Sequence, residues 1–179
     1  MASPPVVATE CALDDLREQV HRESGAFYAV LDACDEPRVP EKVNELGPSR
    51  AVSLYRGSAE QDCWAIAPYL VQVDESLLEW LIENLWSAAW GIFLVAATEM
   101  PDVRKHLRRF LMVLDPSGKP VYFRFYDPRV LPTFLTSCTD AEVQDFFGPI
   151  ERFYVNAEKD KLAALEISEQ KPGRSDLRW

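Results

Sequence analysis

Apolar and polar positions follow two rhythms along this chain. Leu78, Leu81, Ile82, Leu85, Trp86 and Ala89 recur at three- and four-residue spacing, predicting a helix over Glu75–Trp90 with one apolar stripe. Trp80 falls opposite that stripe, beside Glu83 and Ser87. Leu13, Leu16 and Val20 form a similar stripe after Thr9, a residue suited to cap a helix running to about Glu23 and ended by Gly25. Shorter helical patterns occupy Glu41–Leu46, Pro101–Arg109, Pro128–Thr136 and Thr139–Phe147, the last opened by Thr139 and Glu142 at capping-box spacing.

Strand patterns lie between the helices, at Phe27–Leu31, Ala51–Tyr55, Tyr69–Val73, Ile92–Ala97, Ile150–Asn156 and Leu162–Ile167. Phe110–Leu114 and Pro120–Tyr126 flank Asp115-Pro-Ser-Gly-Lys119, which predicts a hairpin. Over Val121–Tyr126 the alternation puts Val121, Phe123 and Phe125 on one face and Tyr122, Arg124 and Tyr126 on the other. Asp127-Pro128 then reads as N-cap and first helical position. Intermingled helices and strands predict a mixed α+β (α/β) fold: a single domain whose sheet has parallel and antiparallel pairing and is flanked by helices. The expected division is a lead-in and helix over 1–26, the main domain over 27–167 and a polar tail over 168–179. Ala2–Ala8 is read as a loose segment.

Composition narrows the function classes. The chain has 179 residues, 47% of them hydrophobic and 27% charged, enough for a sizeable core. A net charge of -10 disfavours nucleic acid and anionic membranes as partners. Arg104-Lys105-His106-Leu107-Arg108-Arg109 is a local exception, read as a solvated helix end that complements the helix dipole. Cys11, Cys34, Cys63 and Cys138 are scattered, and no secretory signal or membrane-spanning run is visible, which predicts reduced thiols in a cytoplasmic protein.

Candidate chemistry is sparse. His21 and His106 are the two histidines, and neither adjoins a nucleophile motif. The cysteines and histidines share no metal-ligand spacing, and the seven glycines never cluster as a phosphate loop requires. No catalytic residue, metal or cofactor is therefore expected. Two features suit contact with another protein: Trp80 on the polar side of its helix, and the group Arg124, Tyr126, Asp127 and Arg129 at a strand end. Each has a structural alternative. Trp80 fits a helix buried on most sides, and an Arg–Asp bridge fits a locked strand-to-helix turn.

The run Tyr122-Phe-Arg-Phe-Tyr-Asp-Pro-Arg-Val-Leu-Pro-Thr-Phe-Leu135 closely resembles the hallmark of the bacterial domain-of-unknown-function 4123 family. Tyr28-Ala-Val-Leu-Asp32, Ala67-Pro-Tyr-Leu70, Trp90-Gly-Ile-Phe-Leu94 and Phe110-Leu-Met-Val-Leu-Asp115 follow the same order, so the resemblance runs from Phe27 to Val155. It implies an adaptor, or chaperone, of the type VI secretion system. Such a protein binds a cognate effector and helps load it onto the VgrG or PAAR spike, without enzymatic activity of its own. The resemblance also implies a further C-terminal lobe in many members, for which this chain has little room. Two other classes stay open: an immunity protein that blocks a toxin, and a small hydrolase using Asp127 with a histidine.

Overall fold

The computed structural model describes residues 6–22, 26–34, 36–158 and 161–167. Seven strands form one sheet in the order β1-β9-β8-β5-β2-β4-β3, where β1 is Val6–Ala12, β2 Phe27–Asp32, β3 Ala51–Ser53, β4 Pro68–Gln72, β5 Gly91–Ala96, β8 Ile150–Glu158 and β9 Lys161–Ile167. Two further strands, β6 (Met112–Leu114) and β7 (Pro120–Tyr122), make a separate hairpin. The helices are α1 Leu13–Arg22, α2 Arg38–Leu46, α3 Ser58–Asp62, α4 Glu75–Leu85, α5 Met100–Leu107, α6 Leu131–Ser137 and α7 Asp140–Phe147.

Every strand pair described is antiparallel, so the expected parallel pairing is corrected. The reason is where the helical crossovers land. α4 carries the chain from β4 to β5, which run the same way, but each pairs with β2 instead of with the other. β2 and β3 likewise run the same way with β4 between them. A helical crossover signals parallel direction, not parallel contact.

Helices cover both faces, which explains why β2 and β5 are buried along their whole length. On one face Phe27, Ala29, Leu31, Val71 and Phe93 pack with Leu16 and Val20 of α1, Val39 of α2 and Leu78, Leu81 and Leu85 of α4. α4 starts where its pattern predicts, with the Asp74 side chain accepting from the Leu77 N–H at 2.8 Å as N-cap, but it ends at Leu85 and not at the predicted Trp90. On the other face Tyr28, Val30, Ile92, Leu94 and Phe153 pack with Val103 and Leu107 of α5, Leu131 and Leu135 of α6 and Val143, Phe146 and Phe147 of α7. The capping box of Thr139 and Glu142 is formed at the start of α7.

The N-terminal reading needs correction. Val6–Ala12 is a strand paired with β9, not part of a loose lead-in, and Thr9 lies inside it. The first helix begins at Leu13, where Asp15 accepts from the Ala12 N–H at 3.1 Å. Alternation in Val6–Ala12 is masked because only Val6 and Cys11, towards its two ends, pack on the core, while its middle residues are exposed. Ala2–Pro5, Glu23, Gly25 and the 168–179 tail lie outside the described residues.

Candidate functional site

The Asp115–Lys119 turn makes β6–β7 a pre-formed platform. Asp115 Oδ1 accepts from the N–H groups of Ser117 and Lys119 at 2.8 and 3.0 Å, and from Ser117 Oγ at 2.6 Å. Gly118 takes φ 81°, the left-handed conformation that the turn needs. Hydrogen bonding from Ser117, first among several donors, holds the Asp115 carboxyl below its usual pKa.

The base of the hairpin is anchored by aromatic packing. Phe123 meets Phe134 edge to face at 4.8 Å between ring centroids, Phe110 meets Phe146 in the same way at 4.9 Å, and Phe125 is fully buried. Above that base, apolar side chains face solvent. Met112, Val113, Val121 and Tyr122 are exposed, and Leu114 is 71% accessible. Hydrogen bonds join Phe123 N–H to Leu111 C=O and Asp115 N–H to Lys119 C=O, both at 2.9 Å. By antiparallel alternation, Met112 and Leu114 then share one face with Tyr122 and Pro120, and their backbone groups point to the outer edge of β6. Among the described residues no strand pairs with that edge.

Met112 and Tyr122 line a cleft of about 350 Å³ whose other walls are Leu54, Tyr55, Arg56, Ala59, Arg108, Arg109 and Leu111. Tyr55 meets Tyr122 at 5.4 Å between ring centroids. Arg108 donates to the carbonyls of Leu54 at 2.8 Å, Ser53 at 3.2 Å and Tyr55. Arg104 bonds the Ser53 carbonyl and Glu60, both at 2.8 Å. Two arginines of the basic segment, Arg104 in α5 and Arg108 just after it, therefore fasten this part of the chain to β3 and α3, and the reading of that segment as a solvated helix end is corrected for them. Burial, followed by the positive charge of Arg104 and Arg56, lowers the pKa of Arg108. Arg109 pairs with Asp145 at 2.8 Å.

The expected site residues divide sharply. Arg124 crosses to Asp32 at the end of β2, and Asp32 is 3% exposed. Tyr126 and Asp127 are buried at 4% and 5%, so neither offers surface to a partner in this state. Burial, with the negative charge of Asp32 next, raises the Tyr126 hydroxyl pKa. Asp127 does not cap the helix directly. Its Oδ1 accepts from the Arg129 N–H and Nε, both at 2.9 Å, and α6 starts only at Leu131. Likewise the strand predicted through Tyr126 ends at Tyr122, because Phe123–Asp127 turns inward to bury Phe125 and Tyr126. Bonding to Arg129 holds the Asp127 carboxyl below its usual pKa.

Trp80 is half-buried against the first core cluster, with Lys42 Nζ 4.7 Å from its ring centre. It lies apart from the hairpin cleft, on a separate depression that Lys42 and Asp74 also line. The residues missed by sequence reasoning are Tyr55, Arg56, Arg108, Met112 and Leu114. An apolar hairpin in sequence predicts burial, and nothing in its pattern marks it as uncovered.

Asp127 sets up a comparison. Asp127→Ala strips the turn of its acceptor and is expected to cost about 2 kcal/mol, whereas Arg129→Ala should cost only about 0.5 kcal/mol. The difference arises because the Arg129 side chain is 73% exposed while its backbone N–H still bonds Asp127. Denaturant titrations of both variants check the ranking, and equal losses would contradict it.

The histidines have other partners. His106 is buried, its Nε2 lies 2.8 Å from the Phe146 carbonyl, and Gly148 leaves room for its ring. His21 meets Glu75 at 2.7 Å. No hydrogen bond among the described residues joins either histidine to Asp127. Burial, as the main cause, lowers the pKa of His106. The unfolded chain then accepts a proton that the folded chain resists, so this contribution reduces stability as pH falls below about 6.5. The melting temperature should drop between about pH 7 and pH 5, and less in His106→Gln, whose amide still reaches the Phe146 carbonyl. Parallel profiles for the two proteins would refute the assignment.

Among the described residues, no group of acidic, histidine and cysteine side chains could hold a metal ion, and no helix is long and apolar enough to cross a membrane. All four cysteines are free. A family model described as a domain of unknown function, DUF4123, matches residues 27–145, and the chain belongs to that family. No curated protein and no solved structure matches the chain.

Proposed function

We propose that this DUF4123 chain is a non-enzymatic adaptor that binds a type VI secretion effector in the cytoplasm and helps load it onto the VgrG or PAAR spike. The observation that carries this reading is the β6–β7 hairpin. Among the described residues, it sets an uncovered apolar face and an unpaired strand edge on an aromatic base. Such a surface, left unburied in the free chain, suits association with another protein. The family resemblance supplies the class of partner.

Co-expression with the products of adjacent genes tests the proposal. The tagged chain is expected to retain an effector or a spike protein through size exclusion, at a fixed ratio. Retention of neither would sink the reading. Neutralisation of a bound toxin's activity in a recipient cell, without any need for the chain in the producing cell, would overturn it in favour of an immunity protein.

A further inference from the structure

The hairpin cleft has a charge and a shape that specify its occupant more closely. In a chain of net charge -10, three arginines line it, Arg56, Arg108 and Arg109. Glu60 and Asp145 are the acidic side chains that pair with the surrounding arginines, and they engage Arg104, Arg108 and Arg109. Arg56 is exposed and has no ion pair or hydrogen bond among the described residues. The cleft therefore carries excess positive charge on an acidic protein. Its apolar lining does not end at its mouth, because Leu114 continues the Met112 and Tyr122 face outward along β6.

We propose that this cleft takes an extended, acidic and apolar segment of a partner protein. Its apolar side chains cover Met112, Leu114 and Tyr122, and a carboxylate lies on Arg56. The inference rests on the adaptor reading for who the partner is, and on the cleft alone for the partner's chemistry. A long polyanion fits less well, since the rest of the chain repels it and the hairpin face is apolar apart from the Tyr122 hydroxyl. An arginine beside an apolar face that loses its water on binding favours a carboxylate through a charge-assisted, bidentate bond. Charge on the rim then steers association and sets specificity.

Selection of random displayed peptides on the immobilised full chain tests this, followed by anisotropy with a labelled copy of the most enriched peptide. Enriched peptides are expected to combine apolar residues with Asp or Glu, and to bind more weakly as salt rises. Arg56→Glu and Leu114→Glu should each weaken binding by about tenfold or more, while Arg22→Glu on α1 should leave it unchanged. Both altered positions are exposed, so the variants should fold, and matching melting curves verify that. Enrichment of basic peptides, no enrichment, or indifference to both substitutions overturns the inference. Full-strength retention of an adjacent gene's product by the Arg56→Glu, Leu114→Glu double variant overturns it while leaving the adaptor reading intact. Acidic apolar peptides bound at the cleft with no adjacent gene product retained would uphold it and sink the adaptor reading alone.

Discussion

Gly91→Ala is expected to destabilise the chain by about 3 kcal/mol or more, a large share of the roughly 5–15 kcal/mol that holds a domain of this kind together. Gly91 opens β5 at φ 149°, a conformation that side-chain-bearing residues rarely adopt, and a Cβ there would stand 1.9 Å from the Val30 carbonyl oxygen. That oxygen belongs to the backbone of β2, the strand paired with both β4 and β5, so relief requires moving the middle of the sheet. Gly148 offers a graded comparison. There a Cβ would stand 2.3 Å from the His106 ring, a side chain that can yield in part. Gly47, with φ 74° and nothing within 4 Å, isolates the backbone cost alone. Denaturant midpoints of the three alanine variants should fall in the order Gly91, Gly148, Gly47, with Gly91→Ala lowest. A mild effect at Gly91 would mean that β2 and β5 are not packed as described.

The second large effect is on binding. Met112→Glu with Leu114→Glu should weaken the hold on a co-purifying partner by about a hundredfold while changing stability by no more than about 0.5 kcal/mol. Both side chains are exposed in the free chain, so folding loses little when they become charged. In a complex they would be desolvated, and two buried carboxylates without partners are costly. Calorimetric titration beside a melting curve separates the two quantities. Equal losses in both would mean that the hairpin is a structural element and not a docking face.

Much of this architecture is legible in the sequence wherever local and tertiary preferences agree. The Leu78, Leu81 and Leu85 stripe, the Thr139 capping box and the Asp115–Lys119 turn each carry their own geometry, and each appears where predicted. What escapes is set by contacts distant in sequence. The antiparallel sheet follows from β2 inserting between β4 and β5, which no local pattern records. Val6–Ala12 becomes a strand because β9 pairs with it, despite little burial of its own. Arg124 serves Asp32 across 92 positions, so its neighbourhood with Asp127 in sequence misplaces part of its role. The hydrophobic hairpin is the sharpest case, since apolar residues predict burial equally whether the cover comes from this chain or another.

The central claim is that this chain carries a partner protein for export and performs no chemistry on it. The most direct measurement is delivery of the adjacent-gene effector from producing cells that lack the chain, with and without complementation. The account predicts that the effector stays in the producing cell while the spike is still assembled and released. Wild-type protein should restore delivery, and the Met112→Glu, Leu114→Glu variant should not. Effector export at an unchanged level without the chain would contradict the account.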